Sequence, residues 1–353
     1  MSGGWTPSAQ LKRMALERAQ PLAASLELTY ACNWRCVFCY NPRRHDIRRL
    51  AGAEWLTVLD DLRSLGTLFV ALTGGEPLTH PEFLAIARGV RKRGLALRVL
   101  TNGALVTERM AGELAALRPL AVELSLHGAH PATHDRATAT PGSFEAMLRG
   151  LDRLLARGAT VVLKTPLTRL NEHELEAMAT LAADRGVPYR VDPTITPRDD
   201  GDPAPLAYRA SAAAVERLFE KLASLGQLPH ETRGAGGINC GLGRTTLAID
   251  PEGDVFPCLQ WRKAALGNVR QTRLLELWPT SPARAKAAAV SQAANDRLVA
   301  SGGALASFPF CPALALQRTG DPLVPDPSHV AQAEAADRVR LSLTGPAGAS
   351  PRT

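Results

Sequence analysis

Aromatic side chains are scarce in this chain, with 8 Phe, 5 Trp and 4 Tyr among 353 residues. None of them interleaves with basic clusters as in an RNA- or DNA-binding module, so nucleic acid is not the expected partner. Long apolar runs are missing too. The longest uncharged run, Leu298 to Gln317, is interrupted by Ser301-Gly302-Gly303, Pro309 and Pro312, which a lipid-spanning helix does not tolerate. The opening segment, MSGGWTPSAQLKRMALERAQ, lacks the continuous apolar core of a secretion signal. The expectation is a cytoplasmic protein with no membrane partner. Apart from a βα alternation there is no internal repeat, and the 29 Gly and 26 Pro are scattered without a period, which excludes a collagen-like chain.

What is present suits a folded chain with a large core, forming one large domain or two medium ones. Hydrophobic residues make up 45% and charged residues 21%, and the net charge is +7. Much of that charge is Arg, including Arg43, Arg44, Arg48 and Arg49 near Lys12, Arg13 and Arg18, and a solvated basic surface accounts for it. Only six cysteines occur: Cys32, Cys36 and Cys39 near the front, Cys240, Cys258 and Cys311 near the back. In a large chain without a secretion signal, such clusters point to metal ligation rather than to disulfides.

Six β-prone runs alternate with amphipathic ones. Residues 25–30, 67–73, 95–101, 120–126, 159–165 and 187–195 read as strands, and 52–65, 81–93, 107–117, 143–157 and 172–185 as the helices between them. Asn171 is positioned to cap the helix after it, Ser143 stands at another helix start, and Gly66, Gly94, Gly158 and Gly186 stand where helices stop. The repeat predicts right-handed crossovers, a parallel sheet and ligands at the carboxyl ends of its strands. The expected class is α/β, a partial (βα)6 barrel followed by a small C-terminal α+β domain. The expected boundaries are an N-terminal extension (1–22), the barrel (23–205), a linker helix (206–237), the second domain (238–330) and a C-terminal helix or flexible tail (331–353). Residues 245–258, TTLAIDPEGDVFPC, read as a hairpin opening the second domain.

The first strand runs into Cys32-NWR-Cys36-VF-Cys39-Tyr40, a C-x3-C-x2-C loop. Three thiolates on one short loop select an Fe–S cluster, zinc or copper(I). On a four-iron cubane they leave one iron open, whereas zinc would be completed by His45 as a knuckle. The spacing after a first barrel strand resembles the radical SAM superfamily, which holds a [4Fe–4S] cluster there. The resemblance implies that Phe38 or Tyr40 packs near the adenine of S-adenosylmethionine (SAM). Thr73-Gly74-Gly75-Glu76-Pro77 resembles the family's glycine-rich segment for the SAM amino group, with Glu76 supplying a carboxylate. Thr101-Asn102-Gly103 and Ser125-Leu126-His127-Gly128 resemble later strand-end motifs, implying contacts from Asn102 and Ser125; His127 stands where many relatives carry Asp. HDRATATPGSFEAM implies that Arg136 lies near the site, and Lys164 and Thr168 are expected at the same mouth. Together these imply reductive cleavage of SAM to a 5′-deoxyadenosyl radical and hydrogen abstraction from substrate, with no side chain identified as a catalytic acid or base.

At the back, Cys240-x12-Gly253-x4-Cys258 is similar to the start of a SPASM or twitch auxiliary iron–sulfur domain, and Cys311 to its later part. The pattern is degenerate: SQAANDRLVASGGALASFPF carries no cysteine and His329 stands where a last ligand would be. The expectation is one auxiliary [4Fe–4S] cluster on Cys240, Cys258 and Cys311, with His329, another side chain or substrate as fourth ligand; zinc in a Cys3His site is the structural alternative. The resemblance implies peptide modification of the maturase type. Radical oxidation, dehydration or epimerisation of a small molecule is the alternative, and a non-catalytic metal-binding protein a remote one. A flavodoxin or ferredoxin is the expected electron donor. Because few residues precede the first strand, a separate leader-peptide-binding protein is a further expected partner.

Overall fold

The computed structural model describes residues 7–42 and 47–344. Arg43, Arg44 and His45 lie outside the described residues. In chain order the elements are α1 (Pro7–Arg18), β1 (Ala23–Glu27), α2 (Gly52–Ser64), β2 (Phe69–Thr73), α3 (Phe83–Lys92), β3 (Ala96–Thr101), α4 (Glu108–Ala116), β4 (Ala121–Ser125), α5 (Pro131–Thr138), α6 (Ser143–Ala156), β5 (Val161–Pro166), α7 (Leu175–Asp184), β6 (Tyr189–Asp192), α8 (Ala212–Ser224), β7 (Thr246–Ile249), β8 (Asp254–Phe256), β9 (Gly267–Asn268), α9 (Leu274–Thr280), α10 (Pro282–Ser301), α11 (Gly303–Ala306), α12 (Pro312–Thr319) and α13 (Pro327–Thr344). Packing divides the chain into two compact units, Met1–Arg209 with Gly241–Ala289, and Ala210–Cys240 with Val290–Thr353.

The first unit holds a nine-stranded sheet in the order β6-β5-β4-β3-β2-β1-β7-β8-β9. Strands β1 to β6 are parallel neighbours in sequence order, each separated from the next by helix, as the alternation predicts. The sheet is open, with β6 and β9 as its edges. The hairpin expected in the auxiliary region belongs to this same sheet: β7 pairs in parallel with β1, and β8 and β9 follow antiparallel. Alternation sets the two faces. Leu26, Val70, Leu72, Leu97, Val99, Val122, Leu124 and Leu163 are fully buried under helices that contribute Trp55, Leu59, Leu62, Ile86, Val90 and Leu154. Fully burying an aliphatic side chain contributes roughly 1.5–3 kcal/mol, so this layer carries the fold.

Two helix starts are held otherwise than the pattern suggests. Asn171 does not cap α7: its buried side chain accepts from Thr168 N at 2.8 Å and donates to His127 O and Pro166 O, joining the ends of β4 and β5. The cap of α6 comes from Asp135, which accepts from Gly142 N at 2.6 Å, Ser143 Oγ at 2.8 Å and Phe144 N at 2.9 Å. A carboxylate there also faces the positive end of the helix dipole.

The second unit is helical. α8 and α13 pack side by side with an ion pair from Arg338 to Glu216 at 3.2 Å. Ala294, Leu298, Phe310 and Ala315 form a small core, and buried Asp326 caps α13 while pairing with Arg318 at 2.9 Å.

Candidate cluster and cofactor site

The loops after β1, β2, β3 and β4 leave the same end of a parallel sheet, which gathers the sequence motifs. Register aligns Glu27 with Thr73 and Thr101 with Leu124, so the strands end together. The cysteine loop has no helix or strand of its own and is held by backbone from elsewhere. Arg35 N donates to Thr138 O and Val37 N to Ala137 O, both at 3.0 Å, so the end of α5 splints the loop between Cys32 and Cys39. Nothing in the sequence pattern announced that role for α5.

Cys32 is exposed, and Cys36 and Cys39 are partly buried. Cys32 Sγ accepts from Trp34 N at 3.3 Å, with Asn102 Nδ2 at 3.9 Å. Desolvation pushes the Cys36 thiol well above its ordinary range, with Cys39 and Cys32 adding to it, so the three sulfurs sense one another. N–H groups aimed at a sulfur stabilise it as a thiolate ligand. Three thiols on one short loop, with Trp34 N and Asn102 Nδ2 turned to Cys32 Sγ, make a donor set that fits an iron–sulfur cluster.

Gly74 and Gly75 are needed where two backbones meet. Gly74 has φ +131°, and a Cβ would stand 2.3 Å from Thr29 O; at Gly75 it would stand 2.4 Å from Ala31 O. Gly75 N donates to Thr29 O at 2.6 Å and Glu76 N to Ala31 O at 2.9 Å, so this segment lies against the base of the cysteine loop. The Glu76 carboxylate is fully buried and accepts from Thr101 Oγ1 at 2.6 Å, Asn102 N at 2.7 Å and Leu78 N at 3.0 Å. Burial pushes it up to about 7 against those hydrogen bonds. It ties β2's end to β3's end, with buried Pro77 opening the single 3-10 turn that follows. Asn102 Nδ2 also donates to Asn33 Oδ1 at 2.7 Å.

Phe38 packs edge-on against His127, with ring centroids 5.0 Å apart, and Trp34 against His134 at 5.3 Å. His127 is buried among these rings; desolvation and then His134 hold it far below the ordinary imidazole range, so it is neutral and packs. Ser125 ends β4, half-buried and in register with Lys164. Arg136 is exposed on α5. Thr168, just after β5, is fully buried and bonded to Asn171.

A group missed by the sequence reading closes the other side. Arg198 donates to Cys39 O at 2.8 Å, and Asp199 N to Tyr40 O at 2.8 Å. Asp199 lies 3.2 Å from Arg262, which also donates to Glu27 Oε2 at 2.6 Å and lies over the Phe256 ring at 4.7 Å. Burial pushes Asp199 up to about 7 and Asp250 up to about 6. Burial alone would lower the Arg262 pKa, but Glu27 and Asp199 hold it above its ordinary value. Tyr40 sits in this field, its phenol pushed up by burial first and by Glu27 and Asp199 next. The group is drawn from stretches far apart in the chain, around residues 27–40, 198–199 and 250–262, and no local motif signals it.

Of the rear ligand candidates, Cys258 lies in the first unit, just after β8. Trp261 N donates to its carbonyl at 3.2 Å. Cys240, Cys311 and His329 belong to the second unit. Cys240 N donates to Ser291 Oγ at 3.0 Å, Cys311 caps α12 with Sγ 3.5 Å from Leu314 N, and buried His329 packs against Phe310 at 5.9 Å.

Residues 26–182 match the model of the radical SAM superfamily, and residues 240–299 that of the SPASM iron–sulfur cluster-binding domain. The Mycobacterium ulcerans mycofactocin maturase MftC is 30% identical over 67% of this chain and 68% of its own length. The chain belongs to the radical SAM superfamily. Its cofactors are iron–sulfur clusters and SAM. The M. tuberculosis mycofactocin maturase is 32% identical over 67% of this chain, and the match spans 64% of that protein. The PqqA peptide cyclase of Ruegeria pomeroyi is 30% identical over 47% of this chain and 45% of that protein. In fold, the structure titled native anSMEcpe with bound AdoMet and Cp18Cys peptide matches with a TM-score of 0.69 at 14% identity, covering 92% of this chain and 97% of that one. Among the described residues no helix is long and apolar enough to cross a membrane.

Proposed function

We propose that this radical SAM protein modifies a peptide, as a maturase. The observation that carries the reading is the Cys32–Cys39 loop, held by α5, by Gly75 and by Arg198 at the carboxyl end of a parallel sheet. When bound, the cluster and SAM supply a 5′-deoxyadenosyl radical that abstracts hydrogen from substrate; the chain orients both and excludes water. Cys32, Cys36 and Cys39 hold the cluster. Gly74, Gly75, Glu76, Pro77, Asn102 and Ser125 line the SAM side, with Phe38, Tyr40 and Arg136 around it. For Glu76 the burial and the three hydrogen bonds make positioning of the strand ends its role.

One auxiliary cluster on Cys240, Cys258 and Cys311, with His329 as a candidate fourth ligand, completes the assignment. The peptide substrate follows from the maturase and peptide cyclase relatives. A flavodoxin or ferredoxin as donor, a separate leader-binding protein and a cytoplasmic location belong to the same proposal. Anaerobically reconstituted protein incubated with SAM and a reductant is expected to release 5′-deoxyadenosine, and Cys36→Ala to abolish the release. Mass spectrometry of candidate precursor peptides then reads the product. Protein that binds only zinc after assembly with iron and sulfide would refute the reading.

A further inference from the structure

Side chains alternate across a strand, so the residues next to the helix-facing Leu97, Val99, Val122, Leu124 and Leu163 point to the other face of the sheet. There, on three adjacent strands, stand Arg98 of β3, Glu123 of β4 and Lys164 of β5. The Glu123 side chain is only 2% exposed, and both cations converge on it. Arg98 donates from Nε to Oε1 at 2.7 Å and from Nη2 to the same oxygen, while Lys164 Nζ lies 3.1 Å from Oε2. Burial acts to raise this carboxyl, but Lys164 and Arg98 outweigh it and hold Glu123 below the ordinary range, so it is anionic at neutral pH.

One carboxylate balances one cation, and the second is left over. Its charge is not sealed in: the Arg98 and Lys164 side chains are 37% and 40% exposed. Lys164 is also in register with Arg190 of β6, which is exposed. Like charges opposite one another on neighbouring strands repel, so this arrangement costs stability. Asp192, further along β6, is turned to Thr194 N at 2.8 Å. Lys164 pairs in register with Ser125, the last residue of β4, so the excess charge starts at the strand ends where the cofactor motifs gather.

We infer that Arg98 and Lys164, propped on Glu123, form a seat for a carboxylate of the substrate. The inference rests on the peptide reading above and narrows it: the peptide presents a carboxylate to this face of the sheet. Two cations held apart by a buried anion keep donors free in a fixed geometry, which suits a planar carboxylate.

The test uses the full chain and two neutral-backbone probes, acetyl-glutamate N-methylamide and the matching glutamine compound, titrated by ligand-observed NMR. The glutamate probe is expected to bind in the millimolar range and the glutamine probe about tenfold more weakly. Lys164→Gln should remove about tenfold of the glutamate affinity and Lys164→Arg should retain it, with binding weakening as salt is raised. Arg98→Met should act in the same direction, and the exposed Lys164 variants decide the outcome if it fails to fold. Equal binding of the two probes, no saturable binding, or unchanged affinity in Lys164→Gln would overturn the inference. Wild-type SAM cleavage, measured on the same preparation, separates the failures: 5′-deoxyadenosine without glutamate-selective binding removes only the seat, whereas selective binding without 5′-deoxyadenosine removes only the radical reading.

Discussion

Arg262 Nη2 lies 2.6 Å from Glu27 Oε2, joining residues 235 apart in the chain, with the guanidinium side chain 7% exposed and the carboxylate fully buried. The same guanidinium faces Asp199, whose backbone N–H holds Tyr40 O beside the third cysteine. Burial already raises the Glu27 carboxyl, and removing the cation takes away the group that opposes this, leaving a buried acid without its partner. Arg262→Met is therefore expected to destabilise the apo-protein by about 3–5 kcal/mol, read as a lower urea midpoint, and Arg262→Lys by less. An unchanged midpoint in Arg262→Met would refute this account.

The raised carboxyls predict a pH dependence. Asp199 titrates near 7 in the folded protein against an ordinary value of 3.8. Between those values the native state holds a proton that the unfolded chain has lost, so this group's contribution is full below pH 4 and disappears as pH rises through about 7. Urea midpoints of Asp199→Asn should accordingly fall less steeply from pH 5 to pH 8 than those of the wild type. Parallel curves would show that Asp199 does not titrate there.

Glycine substitutions separate close approach from helix propensity. Gly75→Ala forces a Cβ to 2.4 Å from Ala31 O, a backbone atom that cannot swing away, so iron and sulfide incorporation should drop sharply. Gly112→Ala meets nothing nearer than Arg157 Nη1 at 3.8 Å within α4, and is expected to stabilise by about 0.5–1 kcal/mol. Full incorporation in Gly75→Ala would show that the β2 end can move away from the cysteine loop.

Asp135 accepts three hydrogen bonds at the start of α6, and α5, on which it stands, splints the cysteine loop through Ala137 and Thr138. Asp135→Ala should cost roughly 1–2 kcal/mol, with Asp135→Asn in between. Faster amide exchange at Arg35 and Val37 would show that the cap reaches the loop; exchange confined to α6 would show that it does not.

Iron content tests the proposed auxiliary cluster. Two four-iron clusters give about eight irons per chain, and replacing Cys240, Cys258 and Cys311 together should leave about four. A wild-type value of about four would remove the auxiliary assignment and leave the front site untouched.

Features that depend on near neighbours were legible from residue order alone. Short β-prone apolar runs alternating with amphipathic ones set the six parallel strands, since a strand covered on both faces reads as a short, nearly continuous apolar run. The C-x3-C-x2-C spacing set the three-sulfur loop, because one short loop cannot scatter its thiols. Tertiary structure decided what depends on distant partners: β7 beside β1, α5 as the loop's splint, Asp135 in place of a local cap, Asn171 drawn away from α7, and the Glu27–Arg262–Asp199 group. Charges and orphan backbone groups take whichever partner the packed sheet brings within about 3 Å. That choice is made by strand order and burial, which local spacing does not encode.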